Sequence, residues 1–124
     1  MTSFFKSTTL ALLVASAAAI AAGPPAHART GFDGAWSVVI IVERGSCDGA
    51  YRYPLQITNG RVLQGDEGPY TVDGRVDPRG SVSVNVTQGD QRAHGVGRLR
   101  GANGTGVWKS PGGCAGRWEA ERRS

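Results

Sequence analysis

Long apolar runs, cysteines, histidines and helical periodicity are all scarce in this chain of 124 residues, and each scarcity removes a class of function. Two cysteines, Cys47 and Cys114, and two histidines, His27 and His94, cannot assemble a tetrahedral thiolate or mixed thiolate–imidazole metal centre once the cysteines bond to each other. Beyond residue 28 no stretch carries apolar residues at helical spacing for longer than a turn, which excludes the βαβ units that nucleotide-binding loops require. Charged residues are 19% of the chain and the net charge is +4, a mild excess that predicts neither disorder nor a polybasic nucleic-acid tail.

The one long apolar stretch is amino-terminal. Met1 to Lys6 carries a single positive charge, Leu10 to Ala22 is an alanine-rich apolar run, and Ala26-His27-Ala28 puts small residues where a signal peptidase reads. The segment reads as a signal peptide over 1–28, cleaved before Arg29. Its apolar run is shorter than the ~20 residues a membrane span needs, and Gly23-Pro24-Pro25 interrupts it. The expected product is an exported protein of the periplasm or medium with no membrane span, forming one domain over 29–124. In an oxidising compartment the two cysteines are expected to form a disulfide. In the chain-entropy model a bridge closing so long a loop is worth about 4 kcal/mol, comparable to the net stability of a small domain.

The rest of the chain alternates with period two. Trp36-Ser37-Val38-Val39-Ile40-Ile41-Val42 is apolar at all but one position, so this strand is expected to be covered on both faces or to meet the chain ends. Tyr51, Tyr53, Leu55 and Ile57 alternate with Arg52, Pro54, Gln56 and Thr58. Asn59-Gly60 then signals a tight hairpin into Arg61-Val62-Leu63. Further strands are expected through Tyr70–Val76, Val82–Thr87, Ala93–Leu99, Gly104–Trp108 and Gly116–Ala120, with turns at Asp77-Pro78-Arg79-Gly80 and Gly89-Asp90. Eight short strands joined by turn-length connections predict an all-β antiparallel meander closing into a barrel, with a β-sandwich as the alternative. The expected core is Trp36, Tyr51, Tyr53, Tyr70, Trp108 and Trp118. Inward glycines on the later strands make room for an indole or phenol from across the interior. Pro54, without an N–H, is expected at a bulge or strand edge.

Phe32-Asp33-Gly34-Ala35-Trp36-Ser37-Val38, Cys47-Asp48-Gly49-Ala50-Tyr51-Arg52-Tyr53, Gly104-Thr105-Gly106-Val107-Trp108 and the stretch from Cys114 to Arg123 together resemble a family of small exported bacterial β-rich proteins with one disulfide and no assigned function. The resemblance implies secretion, the disulfide and a β fold, and brings no active site with it. More distantly, Gly34-Ala35-Trp36 on a first strand and an arginine near a last-strand tryptophan resemble the lipocalin and avidin barrels. A third likeness is to periplasmic metalloprotease inhibitors, also small barrels with one disulfide and an early Gly-x-Trp.

Catalytic constellations are thin. Gly45-Ser46-Cys47-Asp48-Gly49 has the outline of a nucleophile elbow, but no helix follows and His94 is the only histidine left after cleavage. His94 falls on the outward face, and Asp66-Glu67-Gly68 reads as a solvated turn rather than a calcium loop. No catalytic residue, metal site or cofactor is assigned. A repeated Gly-Arg-apolar triplet stands out at Arg61, Arg75, Arg98 and Arg117. With Arg52 these outward arginines define an anion-binding surface, or else they serve solubility among Asp73, Asp77, Glu119 and Glu121.

The expected function is a non-enzymatic binding or interaction module of the cell envelope or medium. Its alternatives are a calycin-type small-ligand carrier, and an inhibitor of an exported hydrolase that uses Arg29 to Asp33 as a plug. The partners in view are an anionic envelope polymer, a small apolar ligand or an exported protein, and not nucleic acid.

Overall fold

The computed structural model describes residues 31–47 and 51–124. The expected signal segment and its cleavage site lie outside the described residues, as do Asp48, Gly49 and Ala50. Eight antiparallel strands run in chain order: β1 Gly34–Arg44, β2 Tyr51–Thr58, β3 Arg61–Gln64, β4 Thr71–Val76, β5 Ser81–Gln88, β6 Gln91–Arg100, β7 Asn103–Lys109 and β8 Ala115–Arg122. Each pairs with its successor and β8 returns to β1, so the sheet closes into a barrel rather than splitting into a sandwich. Closure gives every strand a neighbour on each side. Among the described residues no helix is long and apolar enough to cross a membrane.

Period two is what places the side chains. Trp36 and Val38 on β1, Ile57 on β2, Val62 on β3, Val72 and Val76 on β4, Val82 on β5 and Leu99 on β6 are all buried inside the barrel. Burying each such side chain contributes about 1.5–3 kcal/mol. The Asn59-Gly60 hairpin forms as expected: Thr58 pairs with Arg61, and both turn residues have positive φ (52° and 78°), the backbone that a two-residue turn between twisted strands requires. Pro54 lies where β3 runs out. The β2–β3 ladder ends at Leu55 opposite Gln64, and the Pro54 carbonyl accepts from Gly65 N–H (2.8 Å), so the missing donor falls just past the ladder.

In an up-and-down barrel alternate connections share an end. The closed end carries the Asn59-Gly60, Asp77–Gly80 and Gly101-Ala102 turns together with the carboxy terminus. Here Gly31 to Asp33 are built into the base. Trp36 Nε1 donates to the Phe32 carbonyl (2.8 Å), and the Asp33 carboxylate accepts from Asn59 N–H (2.7 Å) and Gly60 N–H (3.2 Å). The opposite end is the mouth, and the disulfide lies there at the β1–β8 junction: Cys47 follows β1 and Cys114 precedes β8, with Cα atoms 6.1 Å apart and a sequence separation of 67.

The expectation that β1 is covered on both faces holds only in part. Ser37 is buried on the outer face, under Arg52, which donates to its hydroxyl (3.0 Å). Val39 and Ile41 are half-buried. The strand does meet the chain end, since the Ala35 carbonyl accepts from Arg123 N–H (2.6 Å).

Reducing the disulfide should free the loops at the mouth and lower the melting temperature by roughly 8–32 °C, from about 2–4 kcal/mol of lost stability at about 4–8 °C per kcal/mol for a domain of this size. Scanning calorimetry with and without dithiothreitol measures it, and an unchanged melt would show that the bridge does not bear on stability.

Candidate functional site

The interior is the first candidate. A cavity of about 1280 Å³ opens at the mouth and runs down to Trp36, Val62 and Leu99 at the base. Its walls are aliphatic and aromatic, with Ile40, Leu55, Val84 and Trp118 among them, and its rim is polar, with Gln88, Asp90, Gln91 and Arg92. A concave apolar site with a few polar groups at one end is the usual form of a small-molecule pocket.

The cavity exists because of how the glycines are used. Gly95 and Gly97 on β6 and Gly104 and Gly106 on β7 all face inward, and the Trp118 indole lies flat against this wall. A methyl group at Gly106 would stand 2.5 Å from Trp118 Cε2 and Cζ2, and one at Gly95 would stand 3.3 Å from Nε1. The indole therefore comes from the neighbouring strand, Trp118 being directly opposite Gly106, and not from across the interior as the sequence suggested. That difference decides the lumen, because an indole reaching across would have filled it. Trp118 Nε1 donates to the Val96 carbonyl (3.2 Å) and Trp108 Nε1 to the Ile41 carbonyl (3.1 Å). Their N–H groups are satisfied by the wall, and both ring faces are left to apolar contact.

Two of the expected core tyrosines behave differently from the rest. Tyr51 is 42% exposed and stands at the mouth rather than in the core. Its proximity to Arg52 in sequence and to the Cys47 loop could have flagged it as rim. Tyr70 is buried but does not line the cavity. It packs edge-on against Tyr53 (5.0 Å between ring centres) and donates its hydroxyl to Asp66 Oδ1 (2.7 Å). Asp66 also accepts from Gly68 N–H (3.2 Å), so the acidic turn serves to hold this tyrosine. Burial first, then the Asp66 hydrogen bond and charge, push the Tyr70 hydroxyl well above its ordinary range. Burial and Tyr51 push Tyr53 upward too.

The base of the cavity carries a residue that sequence reading did not single out. Arg122 continues the inward series Trp118, Ala120, and its guanidinium lies over the Trp36 ring, 5.2 Å from the ring centre. Nη2 donates to the Gly31 carbonyl, while Nε is buried without a partner among the described residues. Counting by two from Trp118 would have found it. The arrangement puts an arginine of the last strand on the first-strand tryptophan and seals the base by cation–π contact.

The five outward arginines do not form one surface. Arg117 is committed to Glu43 (3.2 Å) and Glu119 (2.8 Å). Arg61 and Arg75 are cross-strand neighbours on β3 and β4, exposed and without an ion pair among the described residues. Arg52 and Arg98 flank a second, shallower cleft of about 580 Å³ on the outer wall, where Arg100 and Arg123 join them beside Glu119 and Glu121. His94 faces outward as expected, with Nδ1 2.9 Å from Asn85 Oδ1. Among the described residues no group of three or more His, Cys, Asp or Glu is placed to hold a metal ion.

Two outcomes check this geometry. Gly106→Ala should destabilise the barrel by about 1–3 kcal/mol, because the added methyl meets the Trp118 ring and the Val96 carbonyl. Urea melts followed by tryptophan fluorescence read this, and a neutral result would remove the indole from the wall. A tyrosine whose folded pKa is raised contributes stability that is complete below its unfolded value of ~10 and is lost as pH rises above it. Wild-type protein should therefore lose stability above pH ~10 more steeply than Tyr70→Phe, and parallel pH–melting curves for the two would sink the assignment.

Compared with protein-family models, with curated proteins and with solved structures, the chain matches none.

Proposed function

We propose that this is an exported binding protein that takes a small apolar molecule into the interior of its barrel. The observation that carries the reading is the cavity of about 1280 Å³, open at one end and walled by apolar side chains. It is roomy beside the ~300–1000 Å³ typical of small-ligand pockets. The expected ligand has an apolar body that lies along Ile40, Leu55, Val84 and Trp118. Its polar end stays at the mouth, within reach of the rim polar groups and Arg92.

Several features support binding rather than turnover. The two charged side chains among the cavity's lining residues, Asp90 and Arg92, both sit on the rim, and the lining has no histidine. The two cysteines are joined in the disulfide and offer no thiolate. Export is the compartment in which that disulfide persists. The inhibitor reading draws less support: Gly31 to Asp33, part of the expected plug, are engaged in the barrel base. Arg29 and Thr30 lie outside the described residues.

Titration with N-phenyl-1-naphthylamine tests the proposal. The wild-type protein should bind the dye with micromolar affinity, enhance its emission and quench its own tryptophans. Val84→Trp, which puts an indole into the lumen, should weaken binding at least tenfold while circular dichroism and the melting temperature show a folded barrel. Absence of dye binding by wild type, or equal binding by a folded Val84→Trp variant, would overturn the reading.

A further inference from the structure

The closed end of the barrel has a second, independent feature. Arg61 on β3 and Arg75 on β4 are directly opposite one another across the sheet, both pointing outward. Like charges in that position destabilise a sheet, and no carboxylate relieves them: neither forms an ion pair or hydrogen bond with a described residue. Continuing around the wall, Arg75 faces Ser83 on β5, and Arg98 on β6 faces Ser81, reaching its hydroxyl at 3.5 Å. Arg100 follows on β6, opposite Asn103 on β7, while Thr105 is opposite Arg98.

Most acids near this arc are already engaged. Asp77 Oδ1 accepts from Arg79 N–H (2.9 Å) and Ser81 N–H (2.9 Å). Asp33 holds the Asn59-Gly60 turn. Glu119 and Glu121, which end the arc on β8, are paired with Arg117 and Arg123. Asp73 lies one pleat repeat along β4 from Arg75, toward the mouth, and forms no ion pair with a described residue. From β3 to β7 the outer wall of the closed end is thus a run of exposed arginines separated by serine, asparagine and threonine.

We infer that this arc binds a linear anionic polysaccharide, with Arg61, Arg75, Arg98 and Arg100 engaging successive sulfate or carboxylate groups and Ser81, Ser83 and Asn103 meeting sugar hydroxyls. Guanidinium groups suit such oxyanions through paired N–H donors. Strands stand ~4.8 Å apart and alternate residues along one strand ~7 Å apart, so successive arginines are separated by roughly 5 to 12 Å, the scale of charge spacing along a sugar chain. Shape selects the partner. The arc bends around five of eight strands, so a flat bilayer touches only part of it, and duplex DNA is too stiff to follow it. The arc has no aromatic side chain on which single-stranded bases would stack. Because the arc lies on the outer wall at the closed end, a polysaccharide held there leaves the mouth open.

Dextran sulfate is the probe, with neutral dextran, anionic phospholipid vesicles and duplex DNA as comparisons. Wild-type protein should bind dextran sulfate, with affinity falling at least about tenfold between 50 and 300 mM NaCl, as screened charge contacts require. The combined Arg61→Ser, Arg75→Ser and Arg98→Ser variant should bind about tenfold or more weakly, while Arg117→Ser should remain within about twofold of wild type. N-phenyl-1-naphthylamine binding should be unchanged in both, which separates this proposal from the cavity. If the triple variant fails to fold, Arg75→Glu alone should show at least a threefold loss. Undiminished binding by the folded variant, salt-independent binding, or a preference for vesicles or duplex DNA over dextran sulfate would each overturn the inference.

Discussion

The barrel depends on the seam where β8 meets β1, because eight strands in a meander become an enclosed lumen only when the last pairs with the first. The seam is reinforced along its whole length. At the base Arg122 of β8 covers Trp36 of β1, and the Ala35 carbonyl takes the Arg123 N–H. Higher up, Trp108 reaches from β7 past β8 to the Ile41 carbonyl of β1. Arg117 meets Glu43 across the outer face, and the disulfide joins the loops that flank the two strands at the mouth. The exposed ion pair adds little on its own. The indole contacts and the covalent bond reinforce the β1–β8 ladder, Trp36 at the base and Trp108 and the disulfide toward the mouth.

Closure explains why glycine is tolerated in a sheet that it would otherwise weaken. Gly95, Gly97, Gly104 and Gly106 forgo side-chain packing, yet their bare backbone is covered by one indole lying flat. The wall is sealed with almost no intrusion into the centre. The lumen consequently stays open from the rim down to Trp36, Val62 and Leu99, a cup with apolar walls and a polar rim. The outer wall follows a separate logic, in which arginines gather near the closed base and face away from the mouth.

Much of this was legible in the alternation of residues. Every strand, the Asn59-Gly60 hairpin and the outward positions of Arg75, Arg98 and Arg117 follow from period two and turn chemistry, because those depend on neighbours in sequence, while the cysteine pair was read from the cysteine count and the expected oxidising compartment. Arg122 was equally legible, two residues past Ala120, but a charged residue is seldom sought on an inward face. Tyr51 was misplaced because parity tells which face a side chain takes and not how far along the strand water reaches. The split of the arginines into a paired Arg117 and an unpaired arc was also beyond reach, since Glu43 is 74 residues from Arg117 in sequence and meets it only through the seam.

The sequence by itself determined a small all-β protein whose alternating strands have one apolar and one charged face, since side-chain direction along a strand is a local property. Only the tertiary structure decided that β1 and β8 close the sheet, that Trp118 lies along the wall instead of across the lumen, and that arginines without ion pairs line one side of the base. Those outcomes depend on strand register and on which neighbours closure brings together, and both are set by the whole sheet at once.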